Sequence, residues 1–155
     1  MKSIRFVWVG RLKTPFWREA ATHYWNCLGR YWRLEELCVK DGDSRLPETG
    51  RVEREGERIL DALRPGSACV ALDERGEQYS SRELSSMLSS LLQDTSSPCF
   101  VIGGPFGLAD AVLARCSRRL SLSRLTFPHE LARVMLLEQL YRATTILKGS
   151  GYHHD

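Results

Sequence analysis

Short apolar segments alternate along the chain with longer segments in which apolar residues recur every three or four positions. The first pattern is typical of β-strands and the second of amphipathic helices. The predicted strands are Ser3–Val9, Trp32–Val39, Ser67–Leu72, Pro98–Ile102 and Leu120–Leu125. The predicted helices are Pro15–Tyr31, Arg51–Leu63, Ser80–Leu92, Gly107–Arg118 and Pro128–Lys148.

This alternation of strands and helices predicts an α/β fold, a parallel sheet with helices on both faces. The strands at 67–72 and 98–102 are apolar without alternation, as central strands buried on both faces are. The polar segments Asp41–Gly50 and Asp73–Tyr79 are predicted to be loops. The chain has 155 residues and no segment that reads as a linker, so we expect a single domain over 1–155.

The last predicted helix is apolar on nearly every side. A helix of this kind must be buried all round, and a domain of this size has little with which to cover a second face. We therefore expect a second copy of the chain to cover it, which predicts a homodimer. The alternative is a helix that is simply central to the monomer. The apolar residues are Leu131, Val134, Met135, Leu136, Leu137, Leu140, Tyr141, Ala143, Ile146 and Leu147.

Composition excludes several classes of protein. Hydrophobic residues make up 43% and charged residues 26%, as in ordinary globular proteins. No segment approaches the ~18 uninterrupted apolar residues of a membrane helix, so we expect no membrane association. The five cysteines are widely spaced without a CxxC pair, which predicts no metal site and suits buried thiols in a reducing cytoplasm.

Charge is distributed unevenly along the chain. The first 40 residues hold eight basic and three acidic side chains, and residues 101–155 hold seven basic and four acidic ones. The middle of the chain is acidic. If the two ends meet in space, they form a basic face that suits a polyanion such as nucleic acid. The alternative is a solvated surface of mixed sign.

Candidate chemistry lies where three predicted strands end, because ligands of parallel sheets bind beyond the carboxyl ends of the strands. The segments are Leu72–Glu74, Gly103–Gly107 and Leu122–Phe127. The glycines allow positive φ and a close approach of a ligand to the backbone, although they also suit a plain sharp turn. The loop is neither a Walker A sequence nor a GxGxxG fingerprint, and it has no lysine. An uncharged or zwitterionic nucleoside therefore fits better than a nucleoside triphosphate.

Histidines cluster towards the end of the chain as His129, His153 and His154, while GxSxG and HExxH motifs are absent. Adjacent histidines point in different directions, which disfavours a metal site at 153–154. The last seven residues place a tyrosine and two histidines after a glycine hinge. The alternative is a disordered terminus, which is common at chain ends.

Four motifs together resemble one family. They are VGRLK at 9–13, LDERGEQYSSREL at 72–84, FVIGGPFGL at 100–108 and the whole segment from Leu120 to Asp155. Over essentially its full length the chain is similar to the ribosomal large subunit pseudouridine N3-methyltransferases, which are minimal SPOUT methyltransferases. It departs from them at His154, where the family usually carries Arg or Lys.

The resemblance implies a deep C-terminal trefoil knot, a homodimer and S-adenosylmethionine as the cofactor. The implied partner is 23S ribosomal RNA in the assembled ribosome, reached by a basic surface. The residues that would bind the cofactor match the three strand ends. They are Leu72, Gly103, Gly104, Leu122, Ser123, Arg124, Leu125, Thr126 and Phe127.

The implied reaction is methyl transfer to N3 of a pseudouridine, whose imide proton must leave. Tyr152 and His153 are the candidates for orienting the base or accepting that proton. Arg142 is a candidate for holding phosphate or offsetting charge, and equally for an i,i+4 ion pair with Glu138. The alternative function is a catalytically inactive, RNA-binding or ribosome-associated dimer. A flavodoxin-like enzyme is disfavoured because no phosphate loop follows the first strand.

Overall fold

The computed structural model describes residues 1–94 and 97–155, which form five strands and five helices. The strands are β1 (Ser3–Val9), β2 (Arg33–Val39), β3 (Cys69–Gln78), β4 (Cys99–Ile102) and β5 (Arg118–Ser121). The helices are α1 (Pro15–Leu28), α2 (Glu48–Ala62), α3 (Ser81–Asp94), α4 (Asp110–Arg115) and α5 (His129–Lys148). The strands form one sheet in the order β2-β1-β4-β3-β5, and every neighbouring pair is parallel.

Helices cover both faces of this sheet, as the alternation of elements predicts. Alternate residues of a strand point to opposite faces. On β1, Phe6 and Trp8 pack with α1, α3 and α5, whereas Val7 and Val9 pack with α2 and α4. All four side chains are buried. The predicted parallel sheet with helices on both faces is confirmed.

The largest difference from the predicted elements lies in β3. The polar segment Asp73–Tyr79 is predicted as a loop, but β3 continues to Gln78. Leu72 and Glu77 both pair with Leu120 of β5, so the residues between them leave the ladder and the chain then rejoins it. The prediction of a loop is wrong because the end of β3 pairs with the edge strand β5 through its backbone. Its side chains are polar and lie outside the apolar core, so no apolar pattern marks this segment as a strand.

The last helix is buried largely by its own chain. It packs against α1 and α3, and Leu136, Leu137 and Leu140 are at most 1% exposed. Its outer face carries half-buried Met135 and Glu138. Because α1 and α3 cover the apolar sides, the hydrophobicity of this helix does not by itself require a second copy.

Candidate functional site

A cavity of about 480 Å³ lies beyond the carboxyl ends of β4 and β5 and beside the part of β3 that leaves the ladder. All three segments predicted from the strand ends line it. Eight of the nine predicted cofactor-binding residues are in its wall: Leu72, Gly103, Gly104, Leu122, Ser123, Leu125, Thr126 and Phe127. The exception is Arg124, which is exposed and does not line the cavity.

Backbone geometry explains the glycines that follow β4. A Cβ at Gly103 would stand 2.6 Å from the carbonyl oxygen of Gly107, so only glycine permits this close approach of two backbone segments. The turn closes with a hydrogen bond from the Gly107 N–H to the Gly104 carbonyl at 3.1 Å. Positive φ occurs at Gly107 (+83°) and not at Gly103 or Gly104. The expectation of positive φ therefore applies to Gly107, while Gly103 is required for close packing.

Short-range hydrogen bonds shape the segment that forms another wall. Ser121 Oγ donates to the Ser123 carbonyl at 2.9 Å, and the Leu125 N–H donates to Ser123 Oγ at 3.0 Å. Thr126 Oγ1 donates to Glu74 Oε2 at 3.3 Å, which ties this segment to the part of β3 that leaves the ladder. The Leu125 side chain is 70% exposed at the cavity rim, so an apolar group of a ligand could cover it.

His129, at the first position of α5, also lines the cavity. Burial lowers the pKa of His129 below its ordinary value, so its imidazole is neutral at neutral pH and able to accept a proton. In the sequence, this histidine is one of those near the end of the chain, and no motif places it at the cavity. The signal in the sequence for a role at the cavity was its place directly after Pro128, which opens the last helix close to a strand end.

The first turn of α5 is fixed to the loop that follows β1. Glu130 accepts hydrogen bonds from the N–H groups of Lys13 and Thr14, at 3.0 and 3.1 Å. Arg133 donates from Nη2 to the carbonyls of Val9 and Gly10, at 3.0 and 3.1 Å. These contacts connect the VGRLK segment with α5 and so hold the wall that carries His129.

Glu55 lies behind the glycine turn and was missed by the sequence analysis. It is 6% exposed, and its Oε2 accepts a hydrogen bond from the Gly42 N–H at 2.9 Å. Burial raises the pKa of this carboxyl. Its Oε1 would lie 3.4 Å from a Cβ at Gly104, so Glu55 supports the turn from the side of α2.

The three predicted catalytic residues meet around Glu138 of α5. Tyr152 Oη donates to Glu138 Oε1 at 3.0 Å, and Arg142 Nη2 donates to the same oxygen at 2.6 Å. The Arg142 guanidinium lies 4.7 Å from the centre of the Tyr152 ring, and its Nη1 is 3.4 Å from His153 Nδ1. The ion pair between Arg142 and Glu138, the other role predicted for Arg142, is thus present, and Arg142 also contacts Tyr152 and His153.

The protonation of Tyr152 limits its chemistry. Burial, followed by the hydrogen bond to Glu138, raises the pKa of Tyr152 to about 12. The phenol therefore keeps its proton at neutral pH, where it can donate a hydrogen bond but does not act as a base. Of the two candidates in the C-terminal tail, only His153 is left for accepting a proton.

The tail does not line the cavity of its own chain. The wall of the cavity ends on α5 at Ala132. Arg142 lies thirteen residues after His129 on the same helix, a rise of about 20 Å. Within one chain, the cavity and the groups around Glu138 are therefore separate sites.

Within residues 1–94 and 97–155, no group of three or more histidine, cysteine, aspartate or glutamate side chains is arranged to hold a metal ion. Within the same ranges, no helix has both the length and the hydropathy needed to cross a membrane.

Comparison with known proteins gives full-length matches. A family model described as a predicted SPOUT methyltransferase matches residues 1–153. A protein named ribosomal RNA large subunit methyltransferase H, from Nitratidesulfovibrio vulgaris strain Miyazaki F, is 54% identical over 99% of this chain and 100% of its own length. A protein of the same name from Maridesulfovibrio salexigens is 50% identical over 99% of each chain.

Among solved structures, the chain is similar to a probable methyltransferase from Bordetella pertussis Tohama I. The TM-score is 0.58 at 19% sequence identity, covering 90% of this chain and 93% of the other. At this level of identity the likeness concerns the fold alone.

Proposed function

Since this chain belongs to the SPOUT methyltransferase family, we propose that it methylates the RNA of the large ribosomal subunit. The observation that carries this proposal is the identity of 50–54%, over essentially the whole chain, to two ribosomal RNA large subunit methyltransferases H. Nothing favours the alternative of an inactive RNA-binding protein. Family membership also implies the C-terminal trefoil knot, and a ribosomal substrate implies a cytoplasmic location.

The cavity at the strand ends is the proposed site for S-adenosylmethionine. Its volume of about 480 Å³ falls in the range of ordinary ligand pockets. Leu72 and Leu122 offer apolar surface to an adenine ring, while the backbone of the glycine turn offers hydrogen bonds to its edge.

The polar side of this cavity also suits the cofactor. Asp73 lines the wall, and its Oδ2 is buried without a hydrogen-bond partner among the described residues. A buried acceptor of this kind is costly unless a donor satisfies it. The ammonium group or a ribose hydroxyl of the cofactor supplies such a donor, whereas a triphosphate would meet repulsion from Asp73 and Glu74.

The proposed reaction is methylation of N3 of a pseudouridine in 23S ribosomal RNA, on the assembled ribosome. The bound cofactor supplies a sulfonium-activated methyl group, so the task left to the protein is alignment and removal of one proton. The Tyr152 hydroxyl, whose proton is donated to Glu138, accepts a hydrogen bond that orients the base, and Arg142 offsets the charge of the deprotonated imide. His153 accepts the proton on Nδ1, which requires the incoming base to displace the Arg142 guanidinium that lies 3.4 Å from this nitrogen. His129 is the candidate from the cavity wall.

The separation of cavity and tail supports a homodimer. The roles proposed for Tyr152, His153 and Arg142 require them at the methyl group, yet Arg142 stands about 20 Å along α5 from His129. Tyr152 and His153 contact Arg142, and neither lines the cavity. A second copy can bring its own tail to the first copy's cavity without unfolding either helix. We therefore propose that each active site takes its cavity from one copy and its tail from the other.

Complementation tests this arrangement. At a concentration of S-adenosylmethionine well below the Kd of Gly103→Ala, a chain carrying this substitution and a chain lacking Tyr152–Asp155 are each expected to be nearly inactive. When the two are unfolded together and refolded, mixed dimers contain one complete site, and we expect activity to return to about a quarter of the wild-type value at equal mixing. Light scattering checks that dimers have formed. Mixtures as inactive as their components would show that each tail serves its own chain, or that the chain is monomeric.

The proposed activity is tested on ribosomes from a strain whose endogenous enzyme has been deleted. Incubation with the purified chain and S-adenosylmethionine is expected to add one methyl group to one pseudouridine, as read by mass spectrometry of RNA fragments. Assembled ribosomes and free large subunits are compared, with faster transfer expected on the former. Absence of transfer to either particle would contradict the proposed function, and binding of RNA without the cofactor would favour the inactive alternative.

A further inference from the structure

The C-terminal tail is held by a second set of contacts, which involves α3 and not Glu138. Arg82, near the start of α3, binds the side chain of Asp155 through both Nε and Nη2, and the Nε–Oδ1 distance is 2.8 Å. Asp155 Oδ1 is also 2.9 Å from His153 Nε2. His153 is thus held between Asp155 on one ring nitrogen and Arg142 on the other.

We infer that Arg82 and Asp155 are positioning residues that fix the ring orientation and the tautomer of His153. The kinetic consequence of this inference rests on the proposed function, whereas the tautomer does not. Neither residue touches the cavity, and both act through His153.

The tautomer follows from the donors and acceptors around the ring. A guanidinium only donates, so the His153 Nδ1 that faces Arg142 must be an unprotonated acceptor. A carboxylate only accepts, so the Nε2 that faces Asp155 must carry the proton. The two contacts together select the neutral ring with its proton on Nε2 and its lone pair on Nδ1.

The carboxylate is charged under all working conditions. Hydrogen bonds from Arg82 first, and from His153 second, lower the pKa of Asp155 to about 2. Asp155 therefore accepts from His153 across the whole neutral range. Its partner Arg82 offers two parallel donors, a planar geometry that lysine does not reproduce.

Side-chain contacts define the position of the short tail after two glycines. Gly149 and Gly151 leave the backbone free to turn, so side-chain contacts must define where the last residues lie. The pair of Arg82 and Asp155 attaches the end of the chain to α3, and Glu138 attaches Tyr152 to α5. His153 lies between these two attachment points, and both contacts determine its position.

Nitrogen NMR of the full-length protein tests the tautomer directly. Histidine is labelled with nitrogen-15, and the His153 signals are assigned by loss in His153→Gln. In the wild type at pH 7.5 we expect a protonated Nε2 and an unprotonated Nδ1. In Arg82→Gln and Asp155→Ala we expect a mixture of both tautomers, whereas Arg82→Lys keeps more of the original form than Arg82→Gln does.

Kinetics give the second readout. Methyl transfer by Arg82→Gln is expected to fall about 10-fold in kcat, with the KM for S-adenosylmethionine unchanged, because a misdirected ring affects the reacting geometry alone. The matched control is Arg45→Gln, which breaks the exposed ion pair between Arg45 and Asp43. This pair is distant in sequence from Arg82 and from the tail, so the substitution should change neither the tautomer nor kcat.

Unchanged tautomer populations in both Arg82→Gln and Asp155→Ala would overturn the inference. So would a wild-type His153 with its proton on Nδ1. A wild-type protein that shows the expected tautomer but methylates no RNA would contradict the proposed function and leave the positioning of His153 standing.

Discussion

Removal of Tyr152–Asp155 is expected to lower methyl transfer to ribosomes at least about 100-fold, the usual contribution of a positioned acid or base. The affinity for S-adenosylmethionine should stay within about twofold of the full-length value, because the cavity wall contains no residue beyond Ala132. A loss of rate without a loss of cofactor affinity is the signature of interactions made only as the reaction proceeds.

Calorimetry with S-adenosylmethionine and a single-turnover assay with ribosomes measure the two quantities. Ser150→Ala is the matched control, since Ser150 is exposed in the same segment and contributes a backbone hydrogen bond to Thr145. Full-length rates after truncation would mean that the tail has no part in the reaction. The proton acceptor would then have to be sought at His129, which lines the cavity.

Hydrophobic periodicity was sufficient to predict most of the fold. β1, α1 and α3 lie close to their predicted bounds because their apolar residues face the core at regular intervals. The continuation of β3 to Gln78 could not be predicted this way, since its polar side chains face solvent and only backbone pairing with β5 makes it a strand. α4 is shorter than predicted, ending at Arg115, because the chain must turn there to enter β5.

The candidate site was predictable to the extent that it follows a general rule of parallel sheets. The rule that ligands bind at strand ends was enough to find the cavity, including Leu72, Gly103 and Leu122. Arg124 was assigned by resemblance alone, and it is exposed and does not line the cavity.

Three charged residues around the site, the buried Glu55 and the exposed Arg82 and Asp155, were not predictable. Glu55 lies on α2, and its place behind Gly104 depends on how α2 packs against the sheet, which no local pattern encodes. Arg82 and Asp155 are 73 positions apart, so their contact likewise depends on tertiary structure. No local pattern in the sequence indicates that Asp155 contacts both Arg82 and His153.

Replacement of Gly103 by alanine is expected to weaken binding of S-adenosylmethionine by about 10- to 100-fold. The new Cβ would meet the backbone carbonyl of Gly107 at 2.6 Å, and backbone cannot move aside as a flexible side chain does. Overpacking of this kind costs about 1–3 kcal/mol, which corresponds to that range of affinity if the turn relaxes into the cavity. Calorimetry measures the affinity, and far-UV circular dichroism confirms the fold.

Gly104→Ala is the matched control for this substitution. Its Cβ would lie 3.4 Å from Glu55 Oε1 and Val9 Cγ1, which requires a shift of only a few tenths of an ångström, so we expect less than about a threefold change in affinity. If Gly103→Ala does not fold, Gly107→Ala perturbs the same turn through its positive φ of +83° and should weaken binding in the same way. A folded Gly103→Ala that binds S-adenosylmethionine as tightly as the wild type would show that the cofactor does not contact this turn, and the cavity at the strand ends would lose its assignment.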